Sequence, residues 1–350
     1  MFTKGGIYTM KMSKELKEMI HQKYVNAAQA ASINPVEVEE NLQKELEGIE
    51  LSGNDEVIMD YFLDKLDKSI LARKQTHQMT NVSSDVLHTA MYVIKWLNHE
   101  FDYNIDTNIV ARRKGLDSEL AKMLSLADDQ DPTQIMDRFG IRFVLENDIT
   151  TVCKFMVKFV NIVCHLNRQD LRNFMQFVET SEYVDEVDVD RIKHLLKIPF
   201  SLKPLSRKND GKQFDHEKYP SIELPTQEDI KIVEHLMGNM KFYFIPKSNG
   251  YQSIHVLLEI ESSSAKLPGF QIEVQFRTHK MDDFAENNIN ASHILHKGKF
   301  KEYLSIFTLT DEELKGTNIR FFRSYKSEQD DQDGIHFGKK FYNRRINTIS

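Results

Sequence analysis

The sequence predicts a fold that contains both helices and strands, on two observations. Apolar residues recur at helical spacing through most of residues 11–100 and again through 150–197. Extended, alternating segments gather late, at about 240–246, 252–262 and 269–277. Helical and extended patterns thus both recur along the chain.

The first helices are read as follows. Asn34-Pro35 makes a helix entry, with Asn as cap and Pro at the first helical position, and Val38, Leu42, Leu46 and Ile49 follow on one face. Ser52-Gly53-Asn54-Asp55 stops that helix and starts another carrying Ile58, Phe62, Leu66 and Ile70. A third starts near Ser84-Asp85 with Leu87, Met91, Ile94 and Leu97. From Tyr103 to Lys114 the pattern is extended, Gly115 to Leu126 reads as helix, and Arg138 to Glu146 as a strand. In 150–197 the residues Phe155, Phe159, Ile162 and Leu166 share a helix face. Pro199, Pro204, Pro220 and Pro225, with the polar run Ser206 to Lys212, mark 199–224 as a long exposed loop. A short helix at 226–237 precedes the late strands, and helix returns at about 280–297.

Composition narrows the classes. With 350 residues, 40% hydrophobic and 28% charged, the chain suits one large globular domain or two modest ones. The net charge of -7 does not announce nucleic-acid binding, though a local basic patch stays open. Cys153 and Cys164 sit in one amphipathic segment and read as buried thiols; on one helix they would lie about 16 Å apart, too far to bridge. No apolar run is long enough for a membrane span and the N-terminus lacks a signal core, so no membrane and a cytoplasmic location are expected.

Four segments carry chemistry. In Glu273-Val-Gln-Phe-Arg277 three polar side chains alternate with two apolar ones, placing Glu273, Gln275 and Arg277 on one strand face. In Lys247-Ser-Asn-Gly-Tyr-Gln-Ser-Ile-His255 a glycine breaks the chain before Tyr251, then Ser253 and His255 follow at strand spacing. A half-buried sheet with a solvated face gives the same alternation, so neither segment decides alone. Arg112 and Lys114 share a strand face, Ser118 and Lys122 a helix face, and a strand running through Gly115 into a helix start can cradle a triphosphate. Finally, Asp137 stands before a strand with Gly140 and Arg142; an Asp here and a Glu on a neighbouring strand can hold Mg²⁺ together with substrate phosphates.

In this order the four segments resemble the synthetase domain of the RelA/SpoT family. The pattern Arg-x-Lys-x-x-x-Ser-x-x-x-Lys is met at Arg112, Lys114, Ser118 and Lys122, and Asp-x-x-Gly-x-Arg at Asp137, Gly140 and Arg142. Lys-x-x-Gly-Tyr-x-Ser-x-His is met at Lys247 to His255, and Glu-x-Gln-x-Arg-Thr at Glu273 to Thr278. The resemblance covers about residues 100–300. It implies an α+β, nucleotidyltransferase-like synthetase fold: a mixed, mostly antiparallel sheet of about five strands flanked by helices. Residues 1–100 would form a helical N-terminal region, 101–300 the synthetase domain with an insertion at about 166–235, and 301–350 a C-terminal helical or tail region.

The implied activity is transfer of the β,γ-diphosphate of ATP to a ribose 3′-hydroxyl. Arg112 and Arg142 would stack on the adenine, and Lys114, Ser118 and Lys122 would hold the triphosphate. Asp137 and Glu273 would bind Mg²⁺, and Glu273 would take the hydroxyl proton. Tyr251 would stack on the acceptor base, and Lys247, Asn249, His255, Gln275 and Arg277 would line the acceptor site. No His-Asp dipeptide occurs in the chain, so no hydrolase domain is expected. Asp282 stands where relatives have Asn or His beside the acceptor base, which bears on base choice. The leading acceptor is GDP or GTP, giving guanosine tetra- or pentaphosphate, an alarmone. A rival reading takes the 3′-terminal adenosine of tRNA, as toxic relatives do, with the tail Lys339 to Arg345 as RNA contacts. A third reading is a degenerate nucleotide-binding sensor. The resemblance leaves a homo-oligomer and a neighbouring antitoxin open as partners.

Overall fold

The computed structural model describes residues 12–33, 53–78, 80–113, 116–125, 139–146, 148–198, 200–203, 214–243, 245–260, 270–287, 305–309 and 311–314. The helix expected after Asn34-Pro35 lies outside them, as does most of the tail. The described residues fall into two compact units.

The first is helical: α1 (Lys14–Ile33), α2 (Gly53–Gln78), α4 (Leu116–Ser125) and the short α10 (Asp311–Leu314). Its core joins Leu16, Ile20 and Tyr24 of α1 to Ile58, Phe62, Leu66 and Ile70 of α2, with Leu120 and Leu124 of α4 and Phe307. The α2 stripe read from the sequence is therefore the buried one.

The second unit is an α+β sheet structure. Its strands are β1 (Thr107–Arg113), β2 (Phe139–Leu145), β3 (Phe200–Leu202), β4 (Met240–Tyr243), β5 (Ser253–Ile260) and β6 (Phe270–Thr278). The order is β1-β2-β6-β5, and β3 and β4 share the far edge of β5, so the mixed sheet is five strands wide. β4 pairs with Ser253–Val256 and β3 with Leu258–Ile260. β2 and β6 are parallel, with Gly140 opposite Glu273 and Arg142 opposite Gln275; β5 and β6 are antiparallel, with His255 opposite Gln275.

Alternation along these strands separates two faces. Phe143, Val256, Val274 and Phe276 face the core under α5 (Ile149–Val163). Phe143 stacks on Phe276 with centroids 5.4 Å apart, and Phe155 meets Phe143 edge-on at 5.3 Å. Each such buried ring contributes about 2–3 kcal/mol, so this cluster anchors the strands that present the polar face. α3 (Thr80–Phe101), α6 (Arg168–Thr180), α7 (Glu186–Leu195) and α8 (Gln227–Val233) complete the layer, and α9 (His279–Asn287) follows β6. No single described helix is long and apolar enough to cross a membrane.

Several expectations need adjusting. The helical run 150–197 is three helices. α5 stops at Val163 because His165 takes a left-handed φ of 53°. The Leu166 N–H then bonds the Asn161 carbonyl and the His165 N–H that of Ile162, which closes a Schellman motif. Leu166 thus falls beyond the helix and is exposed rather than on the Phe155 face. The third N-terminal helix starts at Thr80, before Ser84, and belongs with the sheet, whereas α4 packs with α1 and α2. The stretch 199–224 is not simply an exposed loop: it supplies β3 and buries Tyr219 and Ile222. α8 is shorter than expected, continuing as a 3₁₀ turn over Glu234–Asn239.

Candidate active site

The polar face of β5 and β6 gathers the sequence-predicted acceptor residues. Arg277 is fully buried. Its Nε donates to Ser253 Oγ (3.2 Å), one terminal nitrogen to Asp282 Oδ1 (2.8 Å), and the other to Tyr251 Oη and Gln275 Oε1 (both 2.9 Å). Because a guanidinium can only donate, Tyr251 accepts from it, and the same hydroxyl is hydrogen-bonded to His255 Nε2, 3.0 Å away. On the other side of the ring, His255 Nδ1 is hydrogen-bonded to Glu273 Oε1 at 2.6 Å. Gln275 Nε2 donates to the other Glu273 oxygen at 3.2 Å. One hydrogen-bonded chain, Arg277 to Tyr251 to His255 to Glu273, orients the carboxylate that the sequence marked for proton transfer.

The electrostatics follow. Burial raises the Tyr251 phenol above its ordinary range and the Glu273 charge adds to this, against the opposing pull of Arg277. The phenol therefore stays protonated. For Arg277, burial alone would favour loss of charge, but Tyr251, Asp282 and Glu286 outweigh it and hold the guanidinium above its ordinary value. Lys247 Nζ lies 5.5 Å from the Tyr251 ring centre and Arg277 Cζ 5.4 Å, so two cations flank the ring.

The turn before β5 has its own support. Gly250 has φ +83°, the Gly250 N–H bonds the Lys247 carbonyl at 2.8 Å, and the Lys247 N–H bonds the Tyr251 carbonyl at 3.0 Å. Asn249 Oδ1 accepts from the Tyr251 N–H at 3.2 Å. Asn249 and Lys247 remain half-buried, whereas Tyr251 is only 5% exposed, so a base stacking on its ring needs that ring uncovered.

Asp282 is placed differently from a free base reader. Its Oδ1 accepts from both Arg142 (3.0 Å) and Arg277 (2.8 Å). Glu286, one turn along α9, pairs with the same Arg142 nitrogen at 2.8 Å. Arg142 and Arg277 are therefore held by one acidic pair. Sequence reasoning gave Glu286 no site role; the signal was its i, i+4 spacing from Asp282 on the helix after Arg277.

The remaining expected residues divide. Arg112 ends β1, and Ser118 and Lys122 lie on α4 in the helical unit; of these three only the backbone is described. Lys114 and Asp137 lie outside the described residues. The described part of the site brings together Arg142, Tyr251, His255, Glu273, Gln275, Arg277 and Asp282, with Lys247 and Asn249 on the adjoining turn. Gly140, opposite Glu273, projects no side chain over the carboxylate.

Residues 202–301 match the family model described as a region found in RelA/SpoT proteins. This stretch is similar to RelA/SpoT proteins, which supports a synthetase domain of the nucleotide pyrophosphotransferase type. The match includes the Lys247–His255 and Glu273–Thr278 segments. No curated protein matches the chain.

Proposed function

We propose that the protein transfers the β,γ-diphosphate of ATP to the 3′-hydroxyl of GDP or GTP, making guanosine tetra- or pentaphosphate respectively. The observation that carries this reading is the hydrogen-bond chain ending on Glu273, set within the segment that matches RelA/SpoT proteins. The acceptor 3′-oxygen forms a bond to the β-phosphorus of ATP. The bond from that phosphorus to the α,β-bridging oxygen breaks, AMP leaves, and the hydroxyl proton passes to Glu273. Both carboxylate oxygens of Glu273 already accept hydrogen bonds, which fixes their direction before substrate arrives.

Arg112 and Arg142 take the adenine, Lys114, Ser118 and Lys122 the triphosphate, and Lys247, Asn249, His255, Gln275 and Arg277 form the acceptor side around Tyr251. Asp282 acts by holding Arg142 and Arg277. Mg²⁺ fits the donor set: Glu273 offers oxygen only and stands beside the side-chain-free Gly140, and with Asp137 and the substrate phosphates it would supply hard ligands. Among the described residues no three His, Cys, Asp or Glu are gathered to hold a metal, and a site completed by phosphates needs no such cluster. When bound, the ion would neutralise charge on the phosphoryl oxygens.

A guanosine nucleotide is favoured over tRNA because the chain carries net charge -7, which is unfavourable to a long polyanion. The test is incubation of purified protein with γ-³²P-ATP, Mg²⁺ and either GDP and GTP or bulk tRNA. Label in guanosine tetra- or pentaphosphate, abolished by Glu273→Gln, is the expected result. Label on tRNA alone would replace the acceptor, and no transfer to either would leave the nucleotide-sensing reading.

A further inference from the structure

The end of the insertion grips the turn that leads into β5. Phe214 stacks on Tyr219 with centroids 6.1 Å apart, and Tyr219 meets Phe284 of α9 edge-on at 5.6 Å. A Cβ placed on Gly250 would stand 2.5 Å from Phe284 Cζ and 3.0 Å from Ile222 Cδ1. Both side chains therefore press directly on the turn backbone. One residue past Tyr251, the buried Gln252 donates from Nε2 to the Glu223 carbonyl at 3.0 Å. The turn is thus held from outside by residues 219–223 and Phe284, and from inside by Arg277 through the Tyr251 hydroxyl.

We propose that Tyr219–Glu223 is a positioning brace for the acceptor site, fixing the Lys247–Tyr251 turn and so setting acceptor affinity without touching the acceptor. The inference rests on the acceptor-site reading above. A groove of about 610 Å³ runs beside the brace, and its walls include the carboxylates of Glu223 and Asp283. Lys280 approaches Glu223 at 3.9 Å, which leaves little positive charge there for a nucleotide's phosphates. The brace therefore works through the turn. A turn ordered beforehand does not lose its conformational freedom when the acceptor binds, and that saving appears as affinity.

The variants are Ile222→Ala, which removes the contact on Gly250, and Gln252→Leu, which removes the bond to Glu223 at similar size. Both are made in the full chain, so that one remains if the other fails to fold. Two readouts are taken. Amide hydrogen exchange at Lys247 and Gly250 is expected to quicken, while the β5 and β6 amides keep their protection. In steady-state transfer from labelled ATP, KM for GDP or GTP is expected to rise about tenfold or more, with KM for ATP and kcat within about twofold. Ile222→Leu, which keeps an apolar contact, should restore both. Unchanged exchange at the turn overturns the brace. Faster exchange with unchanged acceptor KM, or with equal losses for ATP and acceptor, overturns the positioning role. If the wild-type chain transfers label to no acceptor, the acceptor-site reading fails with the affinity claim, and exchange alone decides whether the segment holds the turn.

Discussion

Replacing Arg277 by Met tests whether this residue organises the polar face. The change keeps an unbranched apolar stem and removes the guanidinium with its four hydrogen bonds, to Ser253, Asp282, Tyr251 and Gln275. Two of the partners are spared the worst: Asp282 keeps Arg142 at 3.0 Å, and the Tyr251 hydroxyl keeps His255. Ser253 Oγ and Gln275 Oε1 lose a buried donor, at about 1–3 kcal/mol for each polar group left unsatisfied. Apolar burial of the Met stem returns part of this. The net loss should be about 3 kcal/mol, at the lower end of what breaking a buried charged network costs. For a folded unit of roughly 200 residues this lowers Tm by about 6–12 °C. Urea unfolding followed by circular dichroism, with calorimetry for Tm, makes the measurement. Arg277→Lys should recover no more than about half, because one ammonium cannot reproduce a planar fork reaching four acceptors. A loss below about 1 kcal/mol for Met, or wild-type stability for Lys, would refute the reasoning.

Three further outcomes follow from the same structure. Gly250→Ala combines a left-handed φ of +83° with a Cβ 2.5 Å from Phe284; about 1–2 kcal/mol for the backbone and 1–3 for overpacking predict a loss of roughly 2–5 kcal/mol in denaturant titration. Burial pushes Cys164 up to about 12 and Cys153 above the ordinary thiol range; at pH 8 the folded protein should resist iodoacetamide and both thiols should react once it is unfolded, which mass spectrometry reads out. Burial would raise the Asp229 carboxyl, but hydrogen bonds from Thr150 and Thr226 outweigh it and hold it below its ordinary 3.8. Its folded-state pKa being depressed, its contribution to stability is full above pH 4 and fades as pH falls further. The Tm gap between wild type and Asp229→Asn should therefore shrink on acidification from about pH 5 to pH 2, and a constant gap would contradict it.

The site was legible in the sequence where side-chain period alone sufficed. Glu273, Gln275 and Arg277 could be placed on one face of β6 because strand geometry repeats every two residues, and that face is the observed polar one. The α2 stripe from Ile58 to Ile70 could be read for the same reason, with a helical period. Leu166 misled because periodicity does not reveal where a non-glycine residue such as His165 will adopt φ > 0 and end a helix. The stretch 199–224 misled because proline and polar residues mark a loop but not what the loop packs against.

What the sequence determined by itself was local: the element types, the two-faced strands and the segments bearing polar chemistry. The tertiary structure alone decided that Arg277 spends its donors inside the protein, that Asp282 and Glu286 clamp Arg142, and that Ile222 presses on Gly250. Those contacts join residues tens to more than a hundred positions apart, or, as with Arg277 and Asp282, link a strand to the helix that folds back beside it. They arise from the register β2-β6-β5 and the path of α9, and pairing across a sheet is set by which strands meet rather than by any pattern within one of them.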